Sequence, residues 1–310
     1  MAAARADIVL PARGAFVLAG VVAASGAEPP APWVWSGGAR PVLRRAETRP
    51  DGRVYLLEVR PAPRGVVLRV LGPDAGEAEV LVPLAAAVRR ALWLDLDLRP
   101  LRRLCRGDPG LAALSRRGLV PPPRGTTAFE DVVVAVTRAE AGAAAGSVLR
   151  RLVARLGRRA GDGRTRAFPT PERLAVAATS VCAQAGVSSL GRRLARLGAA
   201  VAAGRIDPGA LDSPDPGAPA AALRALPGLT PAAAQALRLA LGDFAWGACP
   251  RGLPAVARPW RALVASALAR VGEEAAAPPV GRISARRAAP GRREPPRTAR
   301  GTPRPRRPAP

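Results

Sequence analysis

The amino-acid sequence predicts an α+β chain, with a small antiparallel-sheet domain over residues 1–92 and an all-helical domain over 93–277. Three observations predict this arrangement. Residues up to about 82 contain short β-type segments separated by turns rich in Pro and Gly. From about 94 to 272 the apolar residues recur at helical spacing. The last segment, 278–310, holds ten Arg and one Glu among Pro, Gly and Ala, a composition typical of a disordered tail.

The predicted sheet depends on three apolar segments. Residues 53–59 alternate in the β manner, 65–71 form a second strand, and 79–82 form a third, whereas 84–93 are predicted to be helical. Residues 14–27 permit two interpretations, because an apolar stretch that ends in small residues resembles a signal peptide and also fits the first strand and helix of a domain. We expect the chain to be cytoplasmic and associated with the nucleoid, with a signal peptide over 1–27 as the alternative.

The helical domain is divided by Pro, Gly and helix-capping residues. One amphipathic example has Leu190, Leu194 and Leu197 on one face and three arginines on the other. The predicted helices span 98–106, 109–117, 128–142, 144–157, 171–182, 188–203, 219–225, 231–241 and 259–271.

A helix-turn-helix hairpin over 219–242 is the most informative segment. Pro227 and Gly228 interrupt the first helix, while Thr230 is a suitable N-cap and Pro231 a suitable first residue for the second. Such a turn directs backbone N–H groups and the positive end of a helix to one point, which suits a phosphate. The alternative is an ordinary pair of helices in a bundle. The predicted DNA contacts are Leu226, Pro227, Gly228, Leu229, Thr230 and Ala232.

Five segments in the same order resemble the DNA-3-methyladenine glycosylase II family of the helix-hairpin-helix DNA glycosylases. They are LDLDL at 94–98 with DPGL at 108–111, Phe129-Glu130, FPTPE at 168–172, the hairpin with its flanks at 223–246, and RPWR at 258–261. The resemblance covers about 90–270. It implies a small α+β domain before the helical one, and an activity in which a damaged base is flipped out of duplex DNA into an aromatic pocket.

The resemblance also shows where the family's chemistry is expected. A carboxylate stabilises the positive charge that develops on the sugar as the glycosidic bond breaks. The family's Asp stands about ten residues beyond the hairpin, and that position falls on Arg251 or Gly252 here. Asp243 is the nearest carboxylate in sequence and is a weak substitute. The residues expected at the base pocket are Phe244, Trp246 and Glu140, the last by ungapped counting along the helix that begins at Phe129.

Composition limits the partners. The chain has 48 basic and 23 acidic residues, a net charge of +25, and no His or Lys, so that every basic residue is Arg. This charge favours a polyanion such as nucleic acid. The absence of His removes the commonest general base and metal ligand. Cys105, Cys182 and Cys249 stand too far apart for a paired framework or a zinc site. We therefore expect no metal and no cofactor.

Three functions remain open from the sequence. The first is a monomeric DNA-binding protein of base-excision repair that contacts the phosphate backbone of duplex DNA and has lost its glycosylase chemistry. The second is an active glycosylase that releases alkylated bases. The third is a secreted or structural helical protein whose positive charge is only compositional.

Overall fold

Five antiparallel strands form one sheet in the computed structural model, in the order β1-β5-β4-β3-β2. The strands are β1 (Arg5–Pro11), β2 (Val34–Ser36), β3 (Val42–Thr48), β4 (Val54–Ala62) and β5 (Gly65–Leu71). The two strands predicted over 53–59 and 65–71 are β4 and β5. The structure describes residues 4–14, 16–25, 29–107, 121–213, 217–226, 229–243, 260 and 263–264.

Alternation along the central strands buries one face of the sheet. Leu57 on β4 lies opposite Val70 on β5, and Val59 lies opposite Leu68. All four side chains are fully buried. Directly opposed residues share a face of the sheet, so these two pairs form the centre of the N-terminal core.

The predicted third strand over 79–82 is wrong, because these residues lie in the helix α2 (Ala78–Ala91). Val80, Leu84 and Val88 recur every four residues and are buried against the sheet. A short apolar run does not by itself distinguish a strand from a buried turn of helix. Here the four-residue spacing of the buried side chains is that of a helix.

Residues 14–27 contain the short helix α1 (Leu18–Ala23), which follows β1 along the chain. Leu18, Val21 and Val22 of this helix are buried in the same core as the sheet. This packing agrees with the interpretation of residues 14–27 as the first strand and helix of a domain.

The helical part begins after α2. Its described helices are α3 (Arg99–Gly107), α4 (Ala128–Ala141), α5 (Ala145–Leu156), α6 (Pro171–Ala183), α7 (Ser188–Ala202), α8 (Gly217–Ala225) and α9 (Pro231–Ala240), with 3-10 turns at Gly142–Ala144 and Pro208–Asp212. Their bounds agree closely with the sequence-based helices. The predicted helix over 109–117 lies outside the described residues. So does most of the one over 259–271, of which 263–264 are helical.

Helices α6 and α7 approach each other closely at two glycines. A Cβ at Gly198 would stand 2.5 Å from the carbonyl oxygen of Pro171, and one at Gly191 would stand 2.8 Å from the Cα of Thr179. Both separations are shorter than real Cβ contacts, so only glycine permits this packing. The pair supports the start of α4, whose Phe129 belongs to the same core.

One helical stretch, Ala128–Leu156, is long and apolar enough to pass a length-and-composition test for a membrane span. In its most apolar window 44% is buried inside the protein. Because core helices of soluble proteins pass the same test, this is weak evidence for a membrane segment.

Two buried ion clusters link the sheet part to the helical part. In the first, Arg45 of β3 contacts Glu47 of β3 at 2.7 Å and Glu130 of α4 at 2.9 Å. In the second, Arg90 of α2 contacts Asp131 of α4 at 2.7 Å and also Asp212, at 2.9 Å. Helix α4 is therefore held through its first turn to both β3 and α2. Its start is fixed as well by Thr127, whose hydroxyl accepts a hydrogen bond from the backbone N–H of Glu130.

Candidate nucleic-acid interface

The two helices of the predicted hairpin are present as α8 and α9, and its turn at Pro227 and Gly228 lies outside the described residues. Leu226, Ala233 and Leu237 are buried and fix the two helices in the helical core. Thr230 caps α9, since its hydroxyl accepts a hydrogen bond from the backbone N–H of Ala233 at 3.2 Å. Ala232, in the first turn of α9, is exposed. The hairpin therefore presents the capped, positive end of α9 at the surface.

Of the other predicted DNA contacts, Leu229 is partly buried against the helical core. Pro227 and Gly228 lie outside the described residues, as do the base-pocket candidates Phe244 and Trp246 and the positions Arg251 and Gly252. Their roles stay predictions.

The far end of α9 packs on the end of α2. Gly242, at a φ of +87°, ends the helix, and the backbone N–H of Asp243 donates to the carbonyl of Arg238 at 2.9 Å. A Cβ at Gly242 would stand 3.2 Å from the ring of Trp93. The positive φ and this close approach together favour glycine at 242.

Trp93 and Arg124 hold this junction in place. The Arg124 guanidinium lies over the Trp93 ring, 4.2 Å from its centroid. It also donates to the carbonyl oxygen of Ala240 at 3.0 Å, while Arg124 Nε donates to the carbonyl of Arg90 at 2.9 Å. Trp93 Nε1 in turn donates to the carbonyl of Pro122 at 2.9 Å. A cation at the C-terminus of α9 complements the helix dipole, so Arg124 stabilises the helix end that carries Asp243.

Two adjoining clefts surround Asp243. The first, of about 520 Å³, lies between the end of α2 and the end of α9 and contains Trp93 and Trp260. The second, of about 480 Å³, shares Arg124, Gly242 and Asp243 with it. The lining of the first is Arg89, Arg90, Trp93, Asp95, Leu96, Arg124, Leu241, Gly242, Asp243 and Trp260.

Among the described residues, each carboxylate in these clefts faces an arginine. Asp95 accepts hydrogen bonds from Arg89. Asp212 lies 2.9 Å from Arg90. Asp243, whose side chain is 44% exposed, lies 3.8 Å from Arg238. Arg124 adds a further cation, and burial followed by repulsion from Arg90 lowers its pKa to about 10, which still leaves it charged at neutral pH. The first cleft is lined by three arginines and two aspartates among the described residues and is thus better suited to an anion than to a developing cation, whereas the second is lined by two of each.

Sequence reasoning placed Asp243 beside the hairpin, and the structure shows it lining both clefts. Glu140 does not line either cleft. It pairs with Arg193 of α7 at 2.8 Å, so its role in a base pocket stays a prediction.

The sequence analysis missed Trp93 and Arg124. The only local signals for them were their positions at the end of a helix and after a run of three prolines.

Asp131 is the most strongly perturbed carboxyl near the junction. Burial raises its pKa to about 6, against the opposing attraction of Arg90 and a hydrogen bond from the backbone N–H of Gly125. Its pKa in the unfolded chain is near 3.8. The folded protein therefore binds more protons than the unfolded chain between these values, so stability should fall as pH rises from about 4 to about 6.

We expect Asp131→Asn to flatten this part of the stability profile. A shift of about two pKa units corresponds to about 3 kcal/mol, and an asparagine oxygen can still accept from Gly125. The measurement is urea denaturation, followed by tryptophan fluorescence, at pH 4, 5, 6 and 7. Asp162→Asn is the control, since hydrogen bonds from Thr165 and Arg164 outweigh burial there and lower the pKa of Asp162. An unchanged profile in Asp131→Asn would contradict the assignment.

Comparison with solved structures places this architecture among DNA glycosylases. A 3-methyladenine DNA-glycosylase from Archaeoglobus fulgidus superposes with a TM-score of 0.61 at 20% identity, over 77% of this chain and 79% of that chain. MBOgg1, solved in complex with a low-affinity DNA ligand, superposes with a TM-score of 0.54 at 14% identity, over 78% and 99%. The present chain has the DNA glycosylase fold.

An 8-oxoguanine glycosylase/lyase from Clostridium acetobutylicum, bound to duplex DNA with cytosine opposite 8-oxoguanine, shares the glycosylase fold at a TM-score of 0.52 and 10% identity, over 78% of this chain and 98% of that chain. No family model matches the sequence, and no curated protein matches it. The resemblance to DNA-3-methyladenine glycosylase II in particular therefore stays a prediction, as does the loss of the family's Asp.

Proposed function

We propose that this protein binds duplex DNA in base-excision repair, as a recognition protein for alkylation damage that has lost glycosylase chemistry. One observation carries the proposal. The clefts at the end of α9 lie in a DNA glycosylase fold, yet each described carboxylate that lines them faces an arginine. The capped, positive N-terminus of α9 suits a phosphate backbone, whereas cleavage of the glycosidic bond needs a carboxylate free to stabilise a sugar cation.

The duplex affinity should fall linearly with the salt concentration on logarithmic axes. Neutralising phosphates releases condensed counterions, with a slope of about −0.9 for each phosphate contact. Deleting 278–310, with its ten arginines, should make the slope shallower by about that amount for each phosphate that the segment neutralises. Fluorescence anisotropy with an undamaged duplex, titrated at several salt concentrations, measures both slopes. An affinity indifferent to salt would favour the third function, a protein whose charge is only compositional.

A charge placed beside the turn tests the hairpin itself. Ala232 is exposed in the first turn of α9, so Ala232→Glu should repel a bound phosphate without disturbing the core, and a carboxylate at a helix N-terminus does not destabilise the helix. We expect the duplex affinity to fall on the order of tenfold. Ala144→Glu is the matched control, because Ala144 is the exposed N-cap residue of α5. Equal losses in the two variants would show that the hairpin is only structural.

An active glycosylase is the second candidate, and one observation favours it. Asp243 lines the same cleft as Trp93 and Trp260, and such a cleft could accept an extruded base between aromatic side chains. Against this, Asp243 already faces Arg238. The release of bases from methylated DNA separates the two candidates. The proposal includes the expected cytoplasmic location and monomeric state. N-terminal sequencing tests the location, because it detects removal of a signal peptide, and sedimentation tests the monomeric state.

A further inference from the structure

A pocket of about 480 Å³ lies at the β2 edge of the sheet, and it shares no lining residue with the two clefts beside the hairpin. It forms where β2 meets α5 and the loop that carries residues 158–166. We call it the tryptophan–arginine pocket. Its chemically distinctive residues are Trp33, Trp35, Arg150, Arg164 and Arg166.

The aromatic wall is firmly held. Trp33 is 4% exposed, and the fully buried Arg45 guanidinium lies over its ring, 4.9 Å from the centroid. Trp35, on the edge strand β2, pairs with Leu43 of β3 and is half-buried against the same core. Trp33, which precedes β2, is buried and supports the wall, and Trp35 on β2 is its partly accessible ring.

The loop that carries part of the charged wall is held by hydrogen bonds. Asp162 accepts hydrogen bonds from the backbone N–H groups of Arg164 and Thr165, at 3.0 and 2.9 Å, which shapes the loop. Arg166 donates to the carbonyl of Gly157 at 2.9 Å, and Arg150 extends from the exposed side of α5. The described lining contains three arginines and no carboxylate. An anion is therefore the complementary occupant.

We propose that the tryptophan–arginine pocket binds one unpaired nucleotide, whose base stacks on Trp35 and whose phosphate is held by Arg150 and Arg164. An aromatic ring beside arginines is the chemistry that holds single-stranded nucleic acid. A volume of about 480 Å³ is within the range of small-ligand pockets. The chain's own segment 278–310, with ten Arg and one Glu, has the wrong charge to occupy it. This goes beyond the proposed function, since the pocket is separate from the hairpin and duplex binding does not require it.

The test uses the full-length protein and fluorescein-labelled dT10, followed by anisotropy, with an undamaged duplex titrated in parallel. Arg150→Gln/Arg164→Gln should weaken dT10 binding at least about fivefold and reduce the salt slope by about 0.7, since a single strand contributes about 0.7 for each phosphate and the two arginines hold one phosphate. Arg155→Gln/Arg159→Gln is the matched control, because it removes the same charge from exposed positions of α5 and the same loop outside the pocket. Trp35→Leu should weaken dT10 binding about tenfold without changing the slope.

Each outcome supports or overturns the inference. Equal losses in the two double variants, or competition by poly-glutamate as strong as that by unlabelled dT10, would overturn it, because the pocket would then be only a cationic surface. Duplex binding without any pocket-dependent binding of dT10 would overturn it and leave the proposed function standing. Pocket-dependent dT10 binding without duplex binding would support it and reject the proposed function. Competition by millimolar dTMP identifies a free nucleotide as sufficient, and its absence identifies the strand; both support the inference.

Discussion

Methylated duplex DNA incubated with the purified protein should accumulate no more abasic sites than DNA incubated alone. Breaking the glycosidic bond creates positive charge on the sugar, and preorganised charge of the opposite sign supplies much of the acceleration in such reactions. At an effective dielectric of about 20, two unit charges about 4 Å apart interact by about 4 kcal/mol. The arginine 3.8 Å from Asp243 opposes that effect, and loss of the whole interaction corresponds to about three orders of magnitude in rate.

The measurement counts abasic sites by alkaline cleavage of an end-labelled, methylated duplex over a long time course. Asp243→Asn and Asp95→Asn are assayed beside the unchanged protein, because both carboxylates line the first cleft and differ in their arginine partners. Glu140→Gln is the control outside the clefts. Robust release that Asp243→Asn abolishes, while the other two variants retain it, would establish an active glycosylase and name its carboxylate.

Helix boundaries were predictable because short-range chemistry specifies them. Thr230 before α9 accepts the expected capping hydrogen bond, Thr127 before α4 accepts one as well, and Pro171 opens α6 as its first residue. Each of these signals acts within one turn of helix, and sequence reasoning needs no tertiary information to use it.

Features that depend on distant partners were not predictable. Two consecutive arginines, Arg44 and Arg45, are typical of an exposed segment. Arg45 of β3 is nevertheless fully buried, because Glu130 of α4 forms an ion pair with it. The residues that hold the cleft in place were not predictable either. Trp93 and Arg124 stand 31 positions apart, and their contact at 4.2 Å depends on tertiary structure. Asp243 was found because its signal, the end of the hairpin, is local.

Replacing Arg45 with methionine should strongly destabilise the folded protein. The Arg45 side chain has no exposed surface, and its guanidinium neutralises both Glu47 and Glu130. Burial lowers the pKa of Arg45, but attraction to Glu130 and Glu47 outweighs burial and raises it. Burial raises the pKa of Glu47, and repulsion from Glu130 adds to that rise. Removing the one cation leaves two buried carboxylates without compensation. Breaking a buried ion pair from one side costs about 3–5 kcal/mol.

The adjacent residue provides the matched control. Arg44 points to the other face of β3, where its 39% exposed side chain pairs with Glu58 at 2.9 Å, so Arg44→Met should cost at most about 1 kcal/mol. Urea denaturation followed by tryptophan fluorescence measures both free energies of unfolding. The loss in Arg45→Met should be smaller at pH 5 than at pH 8, since unpaired buried carboxylates can then take up protons. Adding Glu47→Gln and Glu130→Gln should restore much of it. If Arg44→Met and Arg45→Met lose the same stability, the cluster does not couple β3 to α4.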